Sequence, residues 1–291
     1  MKMSGYKYAP VVLFVYKREK HLQKVLEALD ANILADQSSL FIFSDGYKDD
    51  TEKVEVEEVR NCIRQYEKRN HFRQVTIYEM DRHCGLAKSV ITGVSRVIND
   101  YGKVIVLEDD LITSQDFLLY MNDALDYYAE EERVWSIAGY TPNMKELSGY
   151  HKDVYVCMRA GSWGWATWKD RWNSIDWEVK DYSQFARDKK KRNAFKKRGY
   201  NMPDMLDLQM QGKVDSWAIR FCYEQFKQNK VTINPTISRI KNIGIDGSGT
   251  HEVNDKRWDV TLAQGMQKVK FIPLKTNRKI VRAYYNFLCG K

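Results

Sequence analysis

The run Val104-Ile105-Val106-Leu107-Glu108-Asp109-Asp110 sets three consecutive carboxylates directly after four apolar residues. Apolar residues with no polar interruption read as a buried strand, and open α/β sheets bind ligands just outside the carboxyl ends of their strands. Adjacent carboxylates repel one another and resist burial, so a cluster in that position is most readily stabilised by a divalent cation, which takes hard oxygen ligands. A solvated turn is the alternative. The chain holds a second acidic triplet, Glu130-Glu131-Glu132, but it lies near the end of a polar helical segment, where charge is solvated and a chance run suffices.

The elements that must position such a site are legible around it. Val11 to Tyr16, Leu40 to Phe43, Val75 to Tyr78 and Val104 to Leu107 are predicted strands. Between them Leu22, Val25, Leu26 and Leu29 repeat at helical spacing, as do Val59, Cys62, Ile63 and Tyr66, and then the apolar residues from Leu86 to Ile98. Strands alternating with helices predict βα units around a largely parallel sheet. Beyond residue 140 the pattern loosens into aromatic-rich loops and shorter helices. Ser162 to Trp172 carries four tryptophans, residues 187–198 form a basic run, and Trp217 to Asn229 reads as a helix opened by Asp215 and Ser216. Val231 to Ile233 is the last predicted strand. Gly244 to Asp255 is polar and glycine-rich, so it reads as a mobile loop. One α/β unit is expected, its second half grafted onto the same sheet.

Composition narrows the classes. The 291 residues are 43% hydrophobic and 13% aromatic with only 16 Gly and 5 Pro, which excludes collagen-like, low-complexity and largely disordered chains. Five scattered cysteines without a CxxC pair suggest neither a disulfide framework nor a zinc site. No apolar run is long enough to span a bilayer and Met1 to Pro10 lacks the apolar core of a signal peptide, so a cytoplasmic setting is expected. A net charge of +8 favours anionic partners without choosing among them.

Four segments, in order, resemble the inverting GT-A glycosyltransferases related to N-acetylglucosaminyltransferase I. VIVLEDDLITSQDFLLYM is similar to their metal-binding segment, GSWGWATWKDRW to their GW...W block, VDSWAIRFCYEQ to their WDDW...PEQ helix, and INPTISRIKNIGIDGSGTH to their closing segment. The resemblance spans roughly residues 10–255, and four ordered motifs are more specific than any one. It implies a GT-A domain over residues 1–275, with a nucleotide-sugar half (1–140) and an acceptor and base half (141–275), followed by a basic, aromatic tail (276–291). Among relatives of this type, bacterial family 2-like enzymes sometimes labelled hemolysin-like fit a chain without an anchor.

Carried over position by position, the resemblance implies that Asp110 is the direct ligand of Mn2+ or Mg2+ while Glu108 and Asp109 face the donor sugar and ribose. Arg18 would contact the nucleotide, Asp45 would recognise uracil, and Asp215 would act as catalytic base. Trp165 belongs to the donor side, and Gly247, Ser248 and His251 are candidate lid residues. Each has an ordinary alternative: a solvated helix-start charge for Arg18, a turn residue for Asp45, a helix N-cap for Asp215, packed core for the tryptophans. Where the family has a tryptophan before the base and a second aspartate after it, this chain has Val214 and Ser216, and its nucleotide-contacting histidine has only Arg82 and His83 as approximate counterparts.

The implied reaction is inverting, metal-dependent transfer of a sugar such as N-acetylglucosamine from a UDP-sugar to a hydroxyl of a glycan or lipid-linked glycan in polysaccharide assembly. A sugar-phosphate nucleotidyltransferase would want a glycine-rich phosphate loop after the first strand, and Tyr16-Lys17-Arg18-Glu19 has no glycine. A nucleic-acid binder is disfavoured because residues 187–198 contain only Phe195 as a stacking aromatic. The same run and the tail from Lys279 to Lys291 suit peripheral contact with an anionic membrane, and solvated charge with an ordinary docked tail explains them equally.

Overall fold

The computed structural model describes residues 7–246 and 255–291. In chain order the first half forms β1 (Val11–Val15), α1 (Glu19–Asp30), β2 (Ser39–Ser44), α2 (Lys53–Glu67), β3 (Gln74–Glu79), α3 (Leu86–Tyr101) and β4 (Lys103–Glu108). The chain continues through β5 (Leu111–Thr113), α4 (Phe117–Tyr127), β6 (Val134–Ala138), β7 (Val154–Cys157) and β8 (Trp165–Trp168). Four short helices follow: α5 (Lys169–Asn173), α6 (Tyr182–Arg187), α7 (Lys189–Lys196) and α8 (Met202–Met210). The last elements are α9 (Trp217–Lys227), β9 (Val231–Pro235), β10 (Ile240–Asn242) and α10 (Arg278–Leu288).

Eight strands make one sheet in the order β3-β2-β1-β4-β8-β6-β9-β7, in which β8 and β7 run against the other six. This is the mostly parallel α/β sheet expected from the sequence, with the second half of the chain grafted onto the same sheet. Its central strands are apolar without alternation because both faces are covered. On one face Val11, Leu13 and Val15 pack with Leu22, Val25 and Leu29 of α1 and with Val59 and Ile63 of α2. On the other, Val12 and Phe14 pack with Val90, Val94 and Val97 of α3.

Two expectations are corrected. Residues 165–168, assigned to aromatic loops, form β8, inserted antiparallel between β4 and β6. Gly164 makes the entry possible: its φ of 60° suits glycine, and a Cβ there would strike Ile240. Val231 to Ile233 is not the final strand either, since β10 returns to pair antiparallel with β5, Ile240 opposite Thr113 and Asn242 opposite Leu111.

That return is secured by a buried ion pair. Asp116, 1% exposed, accepts from the Arg239 Nε at 3.2 Å and pairs with Nη2 at 3.1 Å, while Ser114 Oγ donates to its other oxygen at 2.6 Å. The Arg239 guanidinium also lies 4.5 Å from the ring centre of Tyr120. Removing one member of such a pair strands an uncompensated buried charge. Arg239→Met is therefore expected to cost about 3–5 kcal/mol in urea unfolding, and Asp116→Leu combined with Arg239→Met less than the two single changes summed. An unchanged midpoint for Arg239→Met would show that the pair is not what joins these segments.

Candidate active site

Parallel register brings the chemistry together. β1 lies between β2 and β4 with Phe14 opposite both Phe43 and Glu108, so the chain leaves all three strands at the same end of the sheet. Arg18, three residues past β1, thereby meets the carboxylates past β4. Its Nη2 pairs closely with Asp109 Oδ1 and lies 3.0 Å from Asp110 Oδ2, and the Tyr16 backbone N–H donates to Asp109 Oδ2 at 3.3 Å.

The electrostatics follow from burial. Asp109 and Asp110 are both buried, and Glu108 is partly so. Burial, then Asp110 and Asp109, push the Glu108 carboxyl up from its usual 4.5 to about 8 against the opposing pull of Arg18. Asp109 is raised by burial and held back by Arg18. Burial alone would lower the Arg18 guanidinium, but the charges of Asp109 and Asp110 outweigh it and raise it.

No three His, Cys, Asp or Glu side chains converge as a complete metal cage among the described residues. The donor set nevertheless fits a hard cation shared with a substrate: Arg18 takes Asp109 and one oxygen of Asp110, while Asp110 Oδ1 has no hydrogen-bond partner among the described residues. Mg2+ and related ions are commonly held by one or two carboxylates together with substrate phosphates. Gly244 closes against this point after β10. The Ile243 N–H donates to the Asp110 carbonyl at 2.9 Å, and a Cβ on Gly244 would overlap the Asp110 carboxylate, so only glycine lets the backbone come so near.

Two further aspartates meet at the start of α3. Asp45 Oδ1 accepts from the N–H groups of Gly46 at 2.9 Å and Cys84 at 2.8 Å, and Oδ2 from Gly85 at 3.0 Å; His83 Nδ1 is also 3.0 Å from Oδ2. Asp45 thus clasps the loop ahead of α3. Asp215 Oδ2 accepts from Ala87 N–H at 3.3 Å, within the first turn of α3. It is not the cap of its own helix: Ser216 Oγ accepts from Ile219 N–H at 3.3 Å and caps α9. The Asp215 side chain is 59% exposed.

Arg220 backs Asp215 and was not foreseen. Its Nε donates to the Ser216 carbonyl at 3.2 Å, Nη1 to the Trp177 carbonyl at 3.2 Å, and Nη2 lies 3.8 Å from Asp215 Oδ1. An arginine one turn into the helix opened by Ser216 was the available signal. Tyr16 was missed as well: its ring centre is 5.2 Å from that of His83, and its hydroxyl donates to Glu52, which with Lys17 draws the loops after β1 and β2 together. The Lys17 ammonium, then Tyr16, lower the Glu52 carboxyl to about 2.

Trp165 is a correction. It is 1% exposed and stacks in the core against Trp172, Trp217 and Phe221 at 5.7, 5.0 and 5.0 Å between ring centres, because its position on β8 turns it into the sheet. It cannot face a donor. Trp168 and Trp172 are buried too, so density of aromatics here builds core. Gly247, Ser248 and His251 lie outside the described residues.

The raised Glu108 carboxyl gives a pH test. Between about 4.5 and 8 the folded chain keeps a proton that the unfolded chain has lost, so stability falls as pH rises through that window. Glu108→Gln removes this loss, and its melting temperature should exceed that of the parent by an increment that grows from pH 5 to pH 8 in chelator. A pH-independent increment would contradict the assignment.

No protein-family model matches the chain, and no curated protein matches it. Among solved structures it is similar to TarS of S. aureus at 16% identity and a TM-score of 0.28, over 53% of this chain and 22% of that one. It is also similar to the mannosyltransferase PcManGT from Pyrobaculum calidifontis in complex with GDP-Man and Mn2+, at 10% identity and a TM-score of 0.41 over 78% and 73% of the two chains. The galactosyltransferase LgtC with donor and acceptor sugar analogs follows at 10% identity and a TM-score of 0.40 over 76% and 72%. The chain thus spans about a fifth of the length of TarS.

Proposed function

We propose that this protein is an inverting, metal-dependent GT-A glycosyltransferase that transfers a sugar from a UDP-sugar to a hydroxyl of a glycan or lipid-linked glycan. The observation that carries the reading is the gathering of Arg18, Asp109 and Asp110 at one sheet end, with Asp45 and Asp215 both fastened to the start of α3. A diphosphate leaving group needs positive charge, and a hydroxyl nucleophile needs a separate base.

Asp110 would hold a divalent ion, Mn2+ or Mg2+, and that ion supplies charge neutralisation for the departing diphosphate. Arg18 keeps Asp109 compensated, which leaves the second oxygen of Asp110 to the cation. Asp45 fixes the loop of His83, Cys84 and Gly85, so the nucleotide meets a rigid wall formed with Tyr16 and His83. Asp215 accepts the proton of the attacking hydroxyl, and a single base set apart from the leaving group favours inversion. Arg220 and the Ala87 N–H hold that carboxylate in place.

The two aspartates are separable by experiment. Asp215→Asn keeps shape and hydrogen bonding but not proton acceptance, so transfer should fall by about 10² to 10⁴ with UDP-sugar binding little changed. Asp110→Ala should weaken the Mn2+-dependent shift in melting temperature that UDP produces, in a panel that also contains GDP and CDP. Near-normal turnover by Asp215→Asn would remove the base, and full UDP affinity in excess chelator would remove the metal.

A further inference from the structure

Charge divides unevenly between the halves of the chain. Residues 1–140 hold 18 Lys and Arg against 24 Asp and Glu, and residues 141–291 hold 29 against 15. From residue 260 to the end there are seven Lys and Arg and no acid. Ion pairs occur in both halves, as in Lys17–Glu52 and Arg64–Glu79 of the first and Lys227–Asp181 and Lys241–Asp259 of the second. In the second half two helices also present cations outside any such pair among the described residues.

Along α7 the single acid, Asp188, is used as the N-cap, accepting from Lys191 N–H at 2.9 Å. Arg192 is spent on Asp207 at 2.8 and 2.7 Å, and Arg198 donates to the carbonyls of Met158 and Lys230. Lys189, Lys190, Lys191, Lys196 and Lys197 remain exposed and form no ion pair with a described residue. On α10 the apolar side, Ile280, Ala283, Tyr284 and Leu288, packs against Met144, Tyr155 and Cys157. Arg278, Lys279 and Arg282 point the other way and are likewise exposed and unpaired among the described residues.

Both helices lie by β7, the edge strand of the sheet: α10 packs on its Tyr155 and Cys157, and the turn after α7 meets the residues that follow it. Gly199, three residues past α7, lies so close to Arg159 that a Cβ on it would be 2.9 Å from Nη1. Arg159 stands two residues past β7, the strand on which Tyr284 of α10 packs. Tyr200, 46% exposed, stands beside this junction. The cations lie on outward helix surfaces, and Phe195, the aromatic within the basic run, is fully buried. Single-stranded nucleic acid needs a basic groove with exposed stacking rings, whereas an anionic leaflet engages separated basic helices at once.

We propose that the α7–α10 face of this protein rests on an anionic lipid leaflet, a surface that goes beyond the sugar-transfer reading and does not depend on it. The test uses flotation of the whole chain with phosphatidylcholine vesicles, with and without phosphatidylglycerol. Binding is expected only with the anionic lipid and should fall steeply with added salt. Each basic residue at the surface is worth roughly a fivefold change in partitioning, so Arg278→Gln, Lys279→Gln and Arg282→Gln together should lower it on the order of a hundredfold. Lys189→Gln, Lys190→Gln, Lys196→Gln and Lys197→Gln together should do at least as much, with the melting temperature close to that of the parent in both variants. Equal flotation with neutral vesicles, undiminished flotation of either folded variant, or tighter binding to single-stranded DNA than to the vesicles at the same ionic strength would overturn the proposal. Should a variant fail to fold, absence of flotation by the unsubstituted chain at low salt would overturn it alone.

Discussion

Three carboxylates at the end of a buried strand are unstable by themselves, and the compensation of that charge by Arg18 is the constraint on which the rest of the site depends. Taking an ion out of water costs several kcal/mol unless a partner replaces the solvent. Arg18 can be that partner only because β1 and β4 are parallel neighbours in register, which delivers the chain after one strand to the chain after the other. The sheet is therefore a means of placing one guanidinium between two carboxylates. Asp109 is fully engaged by the arrangement, and Asp110 is left partly open, which makes the two adjacent acids chemically unequal.

The second half of the chain contributes by holding. The Asp116–Arg239 pair fixes β10 against β5, and that pairing carries Gly244 onto Asp110. Independently, α9 and its cap Ser216 set Asp215 against the first turn of α3. One aspartate from each half thus meets the start of α3, Asp45 on the N–H groups of Cys84 and Gly85 just ahead of it and Asp215 on that of Ala87 in its first turn, where helix termini favour negative charge.

What the sequence made legible were features with a local physical cause. β1 to β4 and α1 to α3 declare themselves by apolar period, and the acid triplet by its position past an uninterrupted strand. β8 did not, because Trp165-Ala166-Thr167-Trp168 carries no alternation that separates a strand from an aromatic loop. β10 is three residues long, and its existence rests on a buried ion pair between residues 123 positions apart. Trp165 was misplaced for a related reason: a tryptophan motif says that an aromatic is needed and not whether its face meets ligand or core. Arg220 escaped because its meaning depends on Trp177, a contact no periodicity encodes.

The pairing of β10 with β5 has a further consequence for how the protein comes into being. Asp110, just past β4, and Gly244, which closes over it, are separated by more than 130 residues of intervening chain, and non-local contacts of this kind are reached late because the loop must be closed before they repay it. During synthesis the strands of the N-terminal half can pair while the return of β10 is still to be made. Until then Asp110 stands uncovered, so the acid triplet exists as an open, charged strand end before it exists as a site. Arg18, delivered by the neighbouring strand β1, can pair with Asp109 and Asp110 before that return is made.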